Sequence, residues 1–188
     1  MDSKNLYEEL NYVNHSRENR VRYANLLLKN PELVLPALNI LFMVDDSVSC
    51  RAGWILEFMS TENIEAILPH LDFFTENMHK VHLDSAVRPI AKICEHLTIA
   101  YYGKKSSQVK NFLTKNHRER ITEVCFDYMI NDNKTAPKAY SMNSLYLLGF
   151  EFDWIHKELA NILERDFNMQ SSGFKARAKH ILKRIKAS

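Results

Sequence analysis

Residues 45–58 read DDSVSCRAGWILEF, and residues 83–97 read LDSAVRPIAKICEHL. Each places one or two aspartates before a short polar break, then a cation, then an apolar run with helical spacing. Aligning the cation at the mouth of each such run gives Arg51, Arg88, Lys138 and Lys175, separated by 37, 50 and 37 residues. The middle interval is longer by 13, the length of GKKSSQVKNFLTK at 103–115. An apolar helical segment precedes each cation and another follows it. A recurring interval of this size marks a helix-pair repeat, in which neighbouring units bury one another's apolar faces.

The rest of the chain agrees with helices. Ile64, Ile67, Leu68, Leu71 and Phe74 form one stripe, as do Phe174, Ala178, Ile181, Leu182 and Ile185. No stretch alternates with period two, so no strand is expected. Only four glycines occur, too few for a sandwich or barrel with many tight turns. Expected N-caps are Ser3, Ser47, Thr61, Asn116 (with Glu119 completing a capping box), Asp153 and Ser171. Gly103 and Gly149 are expected to end helices in the left-handed conformation. Pro31, Pro89 and Pro137 are placed in first turns, where a missing N–H costs nothing. Pro36 and Pro69 fall inside helical patterns and should kink them.

With these residues in view, the chain resembles the HEAT-repeat family of the armadillo-type fold. The resemblance rests on the kinking prolines Pro36 and Pro69 and on turn aspartates Asp45 or Asp46, Asp84 and Asp132. It rests also on Val87–Arg88 opening a second helix. It covers residues 31–187 well and 1–30 less closely. The last two units carry lysine for arginine, and the third and fourth lack the proline. The fold it implies is an all-α right-handed superhelix of about five helix pairs in one domain. Residues 1–30 would form an N-terminal cap, 31–60, 61–102, 116–150 and 151–187 the repeats, and 103–115 a basic insertion. It also implies a ladder in which Asp45, Asp46, Asp84 and Asp132 pair with Arg51, Arg88, Lys138 and Lys175. Arginine is the better rung, because its planar guanidinium bridges carboxylates and carbonyls together.

Composition narrows the function. No basic n-region or apolar h-region opens the chain, and the longest uncharged apolar stretch, LVLPALNILFMV at 33–44, is too short to cross a bilayer. A cytoplasmic protein without a membrane partner is expected, with Cys50, Cys94 and Cys125 as reduced thiols packed like small hydrophobes. His70, Asp72, Glu76, His79, His82 and Asp84 crowd one segment, but no metal-ligand framework accompanies them, and they read as a solvated turn. No nucleophile elbow or phosphate loop is present, so no cofactor, catalytic residue or small-molecule substrate is expected. SSGFKARAKH at 171–180 begins like the mobile loop of the adenylosuccinate lyase superfamily, yet Phe174, Lys175 and Ala176 stand where that loop continues differently. Trp54 and Trp154 lie among apolar residues and read as core.

Charge is uneven. Lys104, Lys105, Lys110, Lys115, Arg118 and Arg120 face only Glu119, and Lys175, Arg177, Lys179, Lys183, Arg184 and Lys186 face no acid. Net charge is +2, these stretches carry +5 and +6, and the remainder therefore carries −9. Two expectations follow. The first is a non-enzymatic scaffold or adaptor holding a protein partner in its helical groove. The alternative is a nucleic-acid binder, related in fold to HEAT-like DNA-alkylation glycosylases. It would grip phosphates with Lys104, Lys105, Lys110, Lys115, Arg118, Arg120, Lys179, Lys183, Arg184 and Lys186.

Overall fold

The apolar segments with helical spacing become helices. A computed structural model describes residues 3–187, and among these the chain is all-α, with eleven α-helices and no strand. They are α1 (Ser3–Leu10), α2 (Arg17–Lys29), α3 (Val34–Leu41), α4 (Ser47–Glu62), α5 (Leu71–Asn77), α6 (Asp84–Tyr102), α7 (Val109–Phe112), α8 (Lys115–Ile130), α9 (Thr135–Leu148), α10 (Trp154–Asp166) and α11 (Ser172–Ile185).

Helices α2, α4, α6, α9 and α11 pack side by side in that order, each against the next. A second set backs this row: α3 lies on α4, α8 on α9, α10 on both α9 and α11, and α5 on α8. Between the two sets runs one continuous apolar core that includes Leu38, Leu56, Phe74, Ile93, Met129, Leu145, Leu159 and Phe174. Both sequence stripes face it, with Ile67, Leu68, Leu71 and Phe74 buried from the first and Phe174, Ala178 and Ile181 from the second.

The prolines act by removing backbone donors. Ahead of α3 and α5 the chain runs as 3₁₀ turns at Pro31–Leu33 and Ile64–His70 before it widens into α-helix. Pro69 sits in the second of these, while Pro36 is the third residue of α3, where no ladder bond is lost. Pro89 is not in a first turn: it is the sixth residue of α6, and cannot donate to Ser85 O. Trp54 fills the gap, its Nε1–H donating to Ser85 O at 3.1 Å. Neither tryptophan is core. Trp54 is half-buried on the row, and Trp154 is 57% exposed and stacked on Phe126.

Several caps differ from expectation. Asp46 caps α4 in place of Ser47, and Thr61 lies inside α4 with its hydroxyl on Glu57 O. Thr114 caps α8 in a capping box with His117, two residues before the expected Asn116, and Glu119 pairs with Lys115. Ser171 caps α11, whereas Asp153 precedes α10 without a side-chain bond. Ser3 opens α1, and its side chain lies outside the described residues. Gly103 and Gly149 keep negative φ, so neither helix ends left-handed. Gly149 is required for space: a Cβ there would come within 2.1 Å of the His156 ring.

The 103–115 segment is built into the body. Val109 and Leu113 are buried, and Glu65 accepts from the Ser107 hydroxyl and the Gln108 N–H. No helix is long and apolar enough to cross a membrane among the described residues.

Candidate functional site

The cations at the helix mouths find partners other than the turn aspartates. Arg51 donates from Nη1 to Leu10 O, Asn11 O and Asn11 Oδ1, closing carbonyls that the end of α1 leaves open. Asp46 is spent on the Val48 N–H and the Tyr7 hydroxyl, and these bonds hold its carboxyl below the usual range. Asp45 lies 3.3 Å from His82, Asp84 pairs with Lys134 at 3.0 Å, and Asp132 is exposed. Lys138 is buried at the start of α9, and Lys175 is half-buried in the first turn of α11.

Arg88 makes the strongest of these contacts. Its Nη1 and Nη2 donate to the two Glu57 oxygens at 3.0 and 2.6 Å, tying α6 to α4. Glu57 is only 6% exposed, and burial raises its pKa although Arg88 beside it pulls the other way. The pattern repeats one helix along. Glu95, 4% exposed, accepts from Lys92 at 2.7 Å and from Asn143 of α9 at 3.1 Å. Two buried carboxylates thus cross the seams α4–α6 and α6–α9. Above them, cations lie over rings: Arg20 over Phe58 at 4.8 Å, Lys92 over Tyr140 at 4.5 Å, and Arg184 of α11 over Tyr146 at 4.0 Å.

This polar seam was missed in the sequence, where a signal existed. Glu57 in WILEFM and Glu95 in KICEHL are each a lone acid inside an apolar run, 38 residues apart. An acid at such a position is excluded from water and must be paired.

The outward side of the row carries a hollow of about 360 Å³ where α2, α4, α6 and α9 meet. Arg20, Arg88 and Lys134 reach it together with Trp54, Ser85 and Pro137, and Asp84 is the carboxylate on its wall. His15 lies against Trp54 with ring centroids 4.8 Å apart. Another hollow, beside α5 and α8, presents Glu76, Glu123 and Asp127 around Arg120 and His79.

The basic stretch at 104–120 is less available than its composition implies. Arg118 is buried. It donates through Nε and Nη2 to Glu151 at 2.8 Å and through Nη1 to Leu113 O, and it lies over the Tyr101 ring at 4.3 Å. Glu151 also accepts from Tyr102 at 2.7 Å, and Arg118 lowers its pKa. Arg120 bonds Glu76 and Thr75 on α5, and Lys115 and Lys186 pair with Glu119 and Glu164. Lys104, Lys105, Lys110, Lys179 and Lys183 remain exposed. The two arginines of this stretch are therefore structural, and what it offers a phosphate is lysine.

The histidine-rich turn disperses in the same way. Asp72 accepts from His117 Nε2 at 2.7 Å, and Glu76 and Asp84 go to Arg120 and Lys134. His117 Nδ1 takes the Thr114 N–H, so this ring links α5 to the cap of α8. Burial pushes the Cys125 thiol up to about 12 and the Cys94 thiol well above its ordinary value, which leaves both un-ionised and poor nucleophiles.

Comparison with protein-family models, curated proteins and solved structures returns no match.

Proposed function

We propose that this chain is a non-enzymatic HEAT-like scaffold that binds a protein partner along the outward face of α2, α4, α6 and α9. The observation that supports the reading is the pair of buried carboxylates, Glu57 and Glu95, beneath a face of cations and aromatic rings. Buried ion pairs of this kind hold long side chains in one orientation, and a preorganised face loses less entropy on binding. Their acids and bases are spent on one another, which suits holding a shape rather than moving protons.

Selection of a displayed peptide library on the full chain tests this, with amide hydrogen exchange to locate the selected peptides. Protection concentrated on α4, α6 and α9 is the expected result. Peptides that protect only α11 or residues 103–115 would sink the reading. A duplex oligonucleotide titrated at several salt concentrations tests the nucleic-acid alternative, which requires a steep loss of affinity with salt carried by Lys104, Lys105, Lys110, Lys179 and Lys183.

A further inference from the structure

We propose that the hollow between α2, α4, α6 and α9 is a carboxylate-binding subsite that takes an acidic side chain of an extended protein segment. This rests on the scaffold reading above and names the chemistry of the partner. Three cations reach the hollow; Asp84 offsets Lys134 at 3.0 Å and Glu57 offsets Arg88 at 2.6 Å, which leaves the charge of Arg20 unmatched by an acid among the described residues. Arg88 is the centre. Glu57 occupies one hydrogen on each of its terminal nitrogens, and among the described residues Nε–H and the second hydrogens of Nη1 and Nη2 meet no acceptor. The Arg88 side chain is 31% exposed and its guanidinium is held from behind by a buried carboxylate, so its free edge is fixed in place. That edge matches the two oxygens of a carboxylate. Arg20 is held similarly by His15 O at 2.9 Å and keeps Nη1 unengaged.

The surroundings favour a peptide over a nucleic-acid strand. Trp54, Ala136 and Pro137 supply apolar wall on which the residues flanking an acid can lie. The Trp54 indole N–H is already bonded to Ser85 O, which fixes the ring. A phosphate backbone draws on many cations in succession. Here the next cation along the row, Lys92, is already spent on Glu95. At about 360 Å³ the hollow sits at the small end of ligand pockets, large enough for one acidic side chain and its neighbours.

The test is a titration of the ¹⁵N-labelled full chain with a hexaglutamate peptide, followed on the Trp54 indole and the arginine Nε–H resonances. A single-stranded oligonucleotide and hexaglutamine serve as parallel probes. Saturable shifts at Trp54 and Arg88 with hexaglutamate, absent with hexaglutamine, are expected. The double variant R20Q/K134Q should weaken this binding roughly tenfold or more, since charge-assisted bonds are lost. Both positions are outside the core, so the variant keeps its fold, and its unchanged amide spectrum elsewhere verifies that. No shift at the hollow, or shifts equal in R20Q/K134Q, would overturn the proposal, as would shifts there with the oligonucleotide alone. If selected peptides protect α4, α6 and α9 yet carry no acid and ignore R20Q/K134Q, the carboxylate subsite falls while the scaffold reading stands.

Discussion

The mouths of α4 and α6 look alike in sequence and differ in what they do. Arg51 and Arg88 stand 37 residues apart, each after a turn aspartate and before an apolar helix. Arg51 reaches back to the carbonyls at the end of α1, where water competes for the same oxygens. Arg88 reaches across to Glu57, from which the fold has removed water. A repeated motif thus sets where a cation stands, while the neighbour it meets sets its energetic role. Loss of a hydrogen bond to a solvated carbonyl is cheap, and an orphaned buried carboxylate is expensive.

The comparison is most easily broken at Arg88. Replacing it with methionine should cost about 3 kcal/mol of stability at neutral pH, because Glu57 is left charged and buried; urea denaturation measures it. R118M should cost a similar amount of about 3 kcal/mol, as three hydrogen bonds and the contact with Tyr101 disappear together. A loss below 1 kcal/mol at Arg88 (roughly that of a surface ion pair) would show that Glu57 is not effectively desolvated.

Acidity sharpens the contrast. Glu57 has a folded pKa above its unfolded value, so the folded chain holds that proton longer. Its contribution to stability is therefore full below the unfolded pKa and falls as pH rises through the folded one. In R88M the opposing cation is gone and the upward shift grows. The penalty of R88M relative to the parent chain should accordingly shrink as pH is lowered from 7 towards the carboxylate range, read from paired denaturation curves. A penalty that grows on acidification contradicts the assignment.

Smaller effects are expected at the other mouth and on the basic segment. R51M should cost about 1 kcal/mol, because exposed Asn11 recovers bonds to water and Leu10 O keeps the Val13 N–H. Equal losses at Arg51 and Arg88 would erase the distinction drawn between them. K104E/K105E, on exposed side chains, should stay within about 0.5 kcal/mol by thermal denaturation.

Much of this was legible in the chain. The stripes through Ile64–Phe74 and Phe174–Ile185 announced helices and their buried faces, and both lie on the core. Ser171 could be read as a cap because a hydroxyl followed by helical spacing has one economical use. The cap of α8 was misplaced by two residues, because His117 can accept a backbone N–H as Glu119 would, and residue types do not decide between them. The cations of 104–120 were legible as charge and misleading as surface, since Arg118 folds inward onto Glu151, more than thirty residues away. Composition counts charges without their partners.

What the sequence alone determined was local: helical periodicity, the interval between repeated cations, and the backbone donors that proline removes. These follow from one residue and its near neighbours. Tertiary structure decided everything that depends on water being excluded. It paired Glu57 with Arg88 and Glu95 with Lys92 and Asn143, sent Trp54 to the carbonyl that Pro89 leaves open, and gathered Arg20, Arg88 and Lys134 around one hollow. The energy of a charge or an unpaired carbonyl is set by its surroundings after folding, and those surroundings come from helices far apart in the chain.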